Sequence, residues 1–550
     1  MKTERILRAA DFAKGQNATP AVTEALKALG GTDGARLFFE TGTYHFYADG
    51  ATERLCAVSN NNRGIKHVVF PVQGMRNLTV DGGGSVFVFH GKAFPFAATD
   101  CRGLTLENMV FDRALPPVAS LRFRDITEDG FFMEIDRSLT PYRVENGDLI
   151  FPREGWELRS DERMMPLHKI EPFGVQYLFT AHCRDQRENL PAPICDAYAE
   201  EADGGVRFRY LPGTPTKLRM AEGERGLTIA EGGRDLDVIW ICDCERVKLR
   251  NLTVRRGCGM GVIAQTTQDI EVDRFRTDSA SGGSEISLTA DALHFVNCTG
   301  RVDIHDCRIE NTMDDAVNVH GVYTELESAE ETALHVRLMH HEQKGVNVYR
   351  PGDRLRLADA SMRTVSEFLV SEVAFEGDGV TALRIGGIFL SGAENATPGC
   401  YVENPGRMPD VHLRNNRFFH LPNLRISGEG ELVIEDNEME CCCSALTATD
   451  LARYWFESGR VRHLVFRRNR MKNCNALGGN SFVRVSVSGF ADEAAPKIHG
   501  HVEITDNEFS DISGYAARIS GVRELTVRGN RVAGGGPVPL LIDGVPKRSE

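Results

Sequence analysis

The sequence predicts an all-β chain wound as a right-handed parallel β-helix, a solenoid with two inserted antiparallel β-subdomains and an N-terminal capping helix. Short segments recur in which apolar and polar residues alternate and then end in Asn, Asp or Gly. They include "MRNLTVDGGG" (75–84), "ERVKLRNLTV" (245–254), "GELVIEDNEM" (430–439) and "GHVEITDNEF" (500–509). Where nothing intervenes their spacing is nearly constant: Asn416 to Asn437 is 21 residues and Asn507 to Asn530 is 23. A period of this size, built from short strands and polar bends without amphipathic helices, reads as a solenoid; the leucine pattern of leucine-rich repeats is missing. The length of 550 residues supports the same reading, because compact single cores stop growing near about 250–300 residues while stacked repeats do not.

Taken in order, the elements are these. "TPAVTEALKAL" (19–29) places Val22, Leu26 and Leu29 on one helical face, with Thr19 as the expected cap before Pro20. Such a helix would cover the first coil, whose open edge otherwise invites pairing with another chain. Residues 1–116 are read as this cap and the first coils. Residues 117–236 lose the Asn-ended repeat and alternate strand-like pieces with Pro/Gly turns, which marks an inserted β-subdomain. Residues 237–321 return to the coil pattern, 322–404 form the second insertion, and 405–550 are the C-terminal coils. Insertions collect on a solenoid's binding face, so the two are expected to frame a site.

That site is expected at "TMDDAVNVHG" (312–321), where two neighbouring acids precede an apolar–polar alternation. Aligning "ADALHFVNCTG" (290–300) with "DDAVNVHGVYT" (314–324) sets Asp291 on Asp315, Ala292 on Ala316, Leu293 on Val317 and His294 on Asn318. The offset is one solenoid turn, and residues one turn apart are neighbours on strands about 4.8 Å apart. Asp291 and Asp315 should therefore be adjacent, with Asp314 beside them and His294, Asn318 and His320 close by. Strand parity would turn Asp291 and Asp315 inward unless a bend precedes each strand. Like charges this close force at least one pKa upward. That suits an acid/base pair at a glycosidic bond, one group protonated and another ionised. Gln265, one coil earlier, is expected on the same outward face. Capped turns explain any one of these acids alone. A calcium site would need about six or more oxygen ligands, and no further acids fall in register.

Bulk properties narrow the classes. Acids outnumber bases 78 to 64, a formal charge of −14, which disfavours a general nucleic-acid surface. No apolar run reaches the roughly 18 residues that span a bilayer. The first residues carry charges and no apolar leader segment, so a cytoplasmic location is expected, or a secreted one if a leader has been removed. Fourteen cysteines without zinc-type spacing are expected to be buried free thiols.

At these residues the sequence resembles the α-1,3-galactosidases of glycoside hydrolase family 110. The resemblance runs in order through "NLTVDGGGSVFVFHGKAFPFA" (77–97), "GMGVIAQTTQDIEVDRF" (259–275), "TADALHFVNCTG" (289–300), "MDDAVNVHGVY" (313–323) and "YWFESGRVRHLVFRRNR" (454–470). It implies an exo-acting, inverting hydrolase, free of metal and cofactor, that removes a terminal α-1,3-linked galactose from a glycan. Neither nucleic acid nor membrane is an implied partner; a homodimer is admissible. Carried over by position, Asp291, Asp314 and Asp315 form the acidic centre, and Gln265, His294, Asn318, His320, Trp455 and Glu457 surround the sugar. The family carries an acid in a Gly-aromatic-Glu setting where this chain has Val346-Asn347, so the general acid is expected at Glu342, with Glu457 next. Two of the Asp cluster would then hold the water. A polygalacturonase-like hydrolase is the nearest rival, but the Gly-His-Gly and Arg-x-Lys it needs for a uronate are missing after Asp315. Another α-glycosidase on a β-helix and a non-catalytic glycan-binding β-helix are the remaining alternatives.

Overall fold

The computed structural model describes residues 5–8, 16–159, 165–171, 174–181, 197–212, 221–231, 234–330, 332–376, 384–389, 396–475 and 481–549. Its main body is a 32-stranded sheet in which like strands of successive coils pair in parallel. One column runs through Gln268–Asp273, Thr299–His305, Asp410–Arg414, Glu431–Glu435, His463–Arg467, His499–Thr505 and Val522–Arg528. A second passes through Ile239–Cys242, Val262–Gln265, Leu293–Val296, Val317–Val322 and Arg417–Ile426. The chain is a parallel β-helix.

The Asn that closes each repeat holds the bends together. Asn416, Asn437, Asn469, Asn507 and Asn530 form a ladder, each side-chain N–H donating to the amide oxygen of the next at 2.9–3.1 Å. All five are buried. Each follows a residue in the left-handed region (Asn415, Asp436, Arg468, Asp506 and Gly529), the geometry that a short polar residue or Gly accepts most readily. Buried amides are tolerated because their donors and acceptors are matched along the stack. In the coil before, Asp306 makes the same bend and the backbone N–H of Cys307 donates to Asn416. Inward-pointing Val, Ile, Leu and Phe fill one continuous core along the coils.

The N-terminal helix Thr19–Leu29 buries Val22, Ala25, Leu26 and Leu29 against this core. Thr19 is not its cap, contrary to expectation. Its hydroxyl donates to the carbonyl of Tyr47 at 3.0 Å and accepts from the Tyr47 N–H at 2.9 Å, so it is consumed by the neighbouring strand. Asn17 Oδ1 instead accepts the Thr19 N–H at 2.9 Å. The eleven described cysteines are mostly buried, as expected; Cys183, Cys195 and the side chain of Cys442 lie outside the described residues.

Both departures from the coil rhythm are antiparallel sheets. The first has seven strands in the order Gly174–Ala181, Met165–Glu171, Arg225–Ile229, Val118–Arg124, Gly130–Glu134, Gly205–Tyr210, Ala197–Ala202, with a three-stranded sheet (Arg143–Glu145, Asp148–Arg153, Trp156–Arg159) beside it. The second runs Thr364–Leu369, Arg354–Ala358, Tyr401–Glu403, Thr324–Ala329, Ala333–Leu338, Arg384–Phe389, Glu372–Glu376. Numbered by chain order within each insertion, the two seven-stranded sheets have the same strand order. The second starts straight after the Val317–Val322 strand and the first returns to the solenoid at Arg234, so both border the coils that hold the acids.

Candidate active site

The anticipated register is present: Leu293 pairs with Val317 and His294 with Asn318, and the Ala292 N–H donates to the Asp315 carbonyl at 2.9 Å. The chain bends at 289–290 and again at 313–314, ahead of each strand. These bends free Asp291 and Asp315 from the inward face that simple alternation would give them. One carboxylate oxygen from each of Asp291, Asp314 and Asp315 lies within 4.8 Å of the others. They border a cavity of about 70 Å³ whose wall also carries Asn60, Arg234, Met260, His294, Asn318, Arg425, Trp455 and Glu457.

Two arginines balance the acids. Arg234 pairs with Asp314, whose other oxygen accepts the Asp315 N–H at 3.1 Å. Burial works against the Arg234 charge, but Asp314, Asp291 and Glu342 together hold its pKa above the ordinary guanidinium value. Arg425 Nε lies 3.4 Å from Asp315 Oδ2 and 3.8 Å from Glu457 Oε2, and Asn423 donates to Asp315 Oδ1 at 2.5 Å. Burial, helped by Asp314 and Asp291 and opposed by Arg425, pushes Asp315 well above the usual carboxylate range.

Behind Asp291 a hydrogen-bond chain has only one neutral arrangement. His320 Nδ1 is 2.6 Å from the carbonyl oxygen of Gly321, which only accepts, so Nδ1 carries the proton. A neutral His320 then presents Nε2 as acceptor, and His294 Nε2, 3.0 Å away, must donate. That leaves His294 Nδ1 as an acceptor, 2.7 Å from Asp291 Oδ2, so the carboxyl group holds the proton between them. Burial agrees with this assignment: it lowers both histidines to about 4 and raises Asp291 well above its ordinary value, with Asp314 adding to the rise. The chain therefore stores a neutral carboxylic acid in the cluster.

Trp455 and Glu457 reach the cavity because Val322 and Gly321 pair antiparallel with Glu457 and Ser458. The turn at 340–343 in the second insertion clamps this loop. The His340 ring lies 4.3 Å from that of Trp455, and Gln343 Nε2 donates to the Trp455 carbonyl at 2.7 Å. Glu342 sits in the same turn; burial raises its pKa, against Arg234 and His341.

Two of the expected sugar neighbours are elsewhere. Gln265 faces outward but stacks on Val296, not on His294. Its amide is taken up by the Ser59 N–H, the Trp240 indole and the Ala57 carbonyl, so it anchors the 57–63 loop. His320 lies behind the cavity wall and acts on it through His294. Asn60, Arg234, Met260, Asn423 and Arg425 were not anticipated. Asn60 comes from the loop between Thr52–Cys56 and Gly64–Gln73 and donates to Glu457 Oε1 at 3.0 Å. Arg425 follows Asn318 by one coil, but the second insertion separates them in sequence. The Asn run in "VSNNNRG" was the available signal for the loop; for the arginines only the register of the folded coils reveals the position.

A family model described as GLAA-B beta-barrel domain II matches residues 333–385, within the second insertion. The α-1,3-galactosidase A of Shewanella woodyi is 27% identical over 92% of this chain and 83% of its own length. The α-1,3-galactosidase A of Bacteroides fragilis is 26% identical over 97% and 88%, and the α-1,3-galactosidase B of Bacteroides thetaiotaomicron 27% over 90% and 80%. The chain is a relative of the α-1,3-galactosidases. The similarity to these α-1,3-galactosidases spans coils and insertions alike. Among solved structures, the chain is similar to the family 28 exopolygalacturonase of Yersinia enterocolitica, with a TM-score of 0.42 and 13% identity over 96% of this chain and 76% of that one.

Proposed function

We propose that the chain is an exo-acting glycoside hydrolase that releases a terminal α-linked galactose, of the α-1,3 type, with inversion of configuration. The observation that carries this reading is the cluster of three carboxylates on the wall of a small cavity, in a chain related to α-1,3-galactosidases. At about 70 Å³ it falls far below the ~300–1,000 Å³ of ordinary ligand pockets, so it leaves no room for an internal stretch of a glycan, which favours exo action. Asn318 Oδ1 and Glu457 Oε2 are buried and accept no hydrogen bond. Buried acceptors of this kind want hydroxyl donors, which a neutral sugar supplies.

In this reading two acids of the Asp314–Asp315–Asp291 cluster hold and deprotonate the attacking water, with Asp291 kept neutral by His294. Glu342, raised by burial and within electrostatic reach of Arg234, protonates the leaving oxygen. Trp455 supplies an aromatic face for the apolar side of galactose. A uronate substrate fits poorly: four acids line the cavity, and both arginines are already engaged by them. A calcium-dependent lyase would need those same carboxylates as metal ligands.

The test is release of p-nitrophenol from its α-galactoside and of galactose from an α-1,3-galactobioside, with and without a chelator. Release of free galactose as its β-anomer, unaffected by chelator, is expected. An α-anomeric first product, or loss of activity on chelation, sinks the corresponding half of the reading. The pH profile follows from the same groups. Asp315 must be ionised to take a proton from water, so kcat/KM should fall as pH drops through its raised pKa; the histidines, neutral down to about pH 4, add no limb above that value. Glu342 must be protonated, so activity should fall as pH rises through its elevated pKa. Activity undiminished down to about pH 4 would contradict Asp315 as a base with a raised pKa.

A further inference from the structure

Beside the cavity lies a second, wider depression of about 240 Å³ that none of the steps above uses. Trp156 from the first insertion lines it together with Ile65 and His67 from the Gly64–Gln73 strand, Lys92 and Asp235. The two spaces share a wall. Arg234 lines the cavity and Asp235 the groove; Asn60 lines the cavity, and Asn62 donates its side-chain N–H to Asp235. Lys66 Nζ fixes the same corner by donating to the Asp235 carbonyl at 2.8 Å.

The groove's surface is of a kind that sugars contact. Lys92 Nζ lies 5.1 Å over the Trp156 ring, and Ile65 is 69% exposed. Its cross-strand partner Leu55 is 56% exposed, so an apolar patch continues along the hairpin. Pyranose rings bring an apolar face to such aromatic and aliphatic surfaces while their hydroxyls meet charged rims. The position matters as much as the surface. Arg234 on the cavity side and Asp235 on the groove side both act electrostatically on Glu342, so the proposed proton donor stands near this boundary. In a glycosidase the donor stands beside the glycosidic oxygen, at the junction between the unit that is released and the sugar attached through that oxygen.

We infer that this groove is the leaving-group subsite, and that Trp156 and Ile65 hold the uncharged hexopyranose to which the terminal galactose is joined. The assignment rests on the glycosidase reading for its direction, but not for its ability to bind sugar. Two measurements keep these separate. The first is the ratio of kcat/KM for an α-galactosyl-(1,3)-lactose substrate to that for p-nitrophenyl α-galactoside, which brings no sugar to the groove. Trp156→Ala should lower this ratio about tenfold, and Trp156→Phe should restore most of it. The second is calorimetric titration with lactose alone, where Trp156→Ala should weaken binding by a similar factor. An unchanged ratio, or lactose binding equally well to the variant, overturns the subsite. If the wild type cleaves neither substrate, the hydrolase reading falls while the titration still decides the groove: lactose binding that depends on Trp156 upholds it, and no binding by the wild type rejects it.

Discussion

Asp314→Asn and Asp315→Asn are each expected to lower kcat by about 10³-fold, within the ~10²–10⁴ that positioned acid–base groups contribute. Both changes keep side-chain volume. Asn423 can still donate to the remaining carbonyl oxygen at 315, so the fold should survive, and an unshifted thermal midpoint serves as the control. Asp291 provides the contrast. Its proton already sits toward His294, so Asp291→Asn, whose amide donates to the same nitrogen, should preserve stability. Asp291→Ala leaves the buried His294 Nδ1 without a donor and should destabilise the chain by about 1–3 kcal/mol. Equal melting temperatures for the two variants at 291 would show that the hydrogen-bond direction has been read wrongly. More than a tenth of wild-type kcat in Asp314→Asn and Asp315→Asn would remove the cluster from the chemistry.

The largest stability effect is expected at Arg425. Arg425→Met strips the counter-charge from Asp315 and Glu457 and should cost about 3–5 kcal/mol at neutral pH, the range for breaking a buried ion pair from one side. Loss of the guanidinium raises the folded-state pKa of both acids, so the folded state binds more protons than the unfolded one across the interval between the two pKa values. Stability then falls as pH rises through that interval, and the deficit is largest at neutral pH and shrinks toward pH 4. Urea unfolding at pH 7 and pH 4.5 measures it; an equal deficit at the two values would mean that Arg425 works through packing alone.

How much could be read before folding differs between the scaffold and the site. The coil repeat was visible because its physics is local: each Asn has to satisfy a bend whose preceding residue takes left-handed geometry, so the signature recurs at each turn. The alignment of Asp291 with Asp315 was legible for the same reason, since a single uninterrupted turn separates them. Arg425 shows where this fails. It is one coil beyond Asn318 in space, but the second insertion hides the interval. Asn60 enters from a hairpin loop with no repeat to index it, and Gln265 has the right parity but meets Ser59 and Trp240. Pattern locates the columns of a solenoid; what fills the last ångströms above each column is decided by loops.

The shared strand order of the insertions has a mechanical corollary. In each, the first and last strands are neighbours: Val118 faces Ile229, and Thr324 faces Val402. The polypeptide therefore leaves the stack and comes back through a doorway one strand spacing wide, and the coils above and below need not separate to admit some eighty or more residues. Closing so short a gap without the excursion carries little entropic penalty, so a tight turn in place of either sheet should leave the winding intact. Growth at such doorways lets the rim over the acids be remodelled while the spool that aligns them stays as it is.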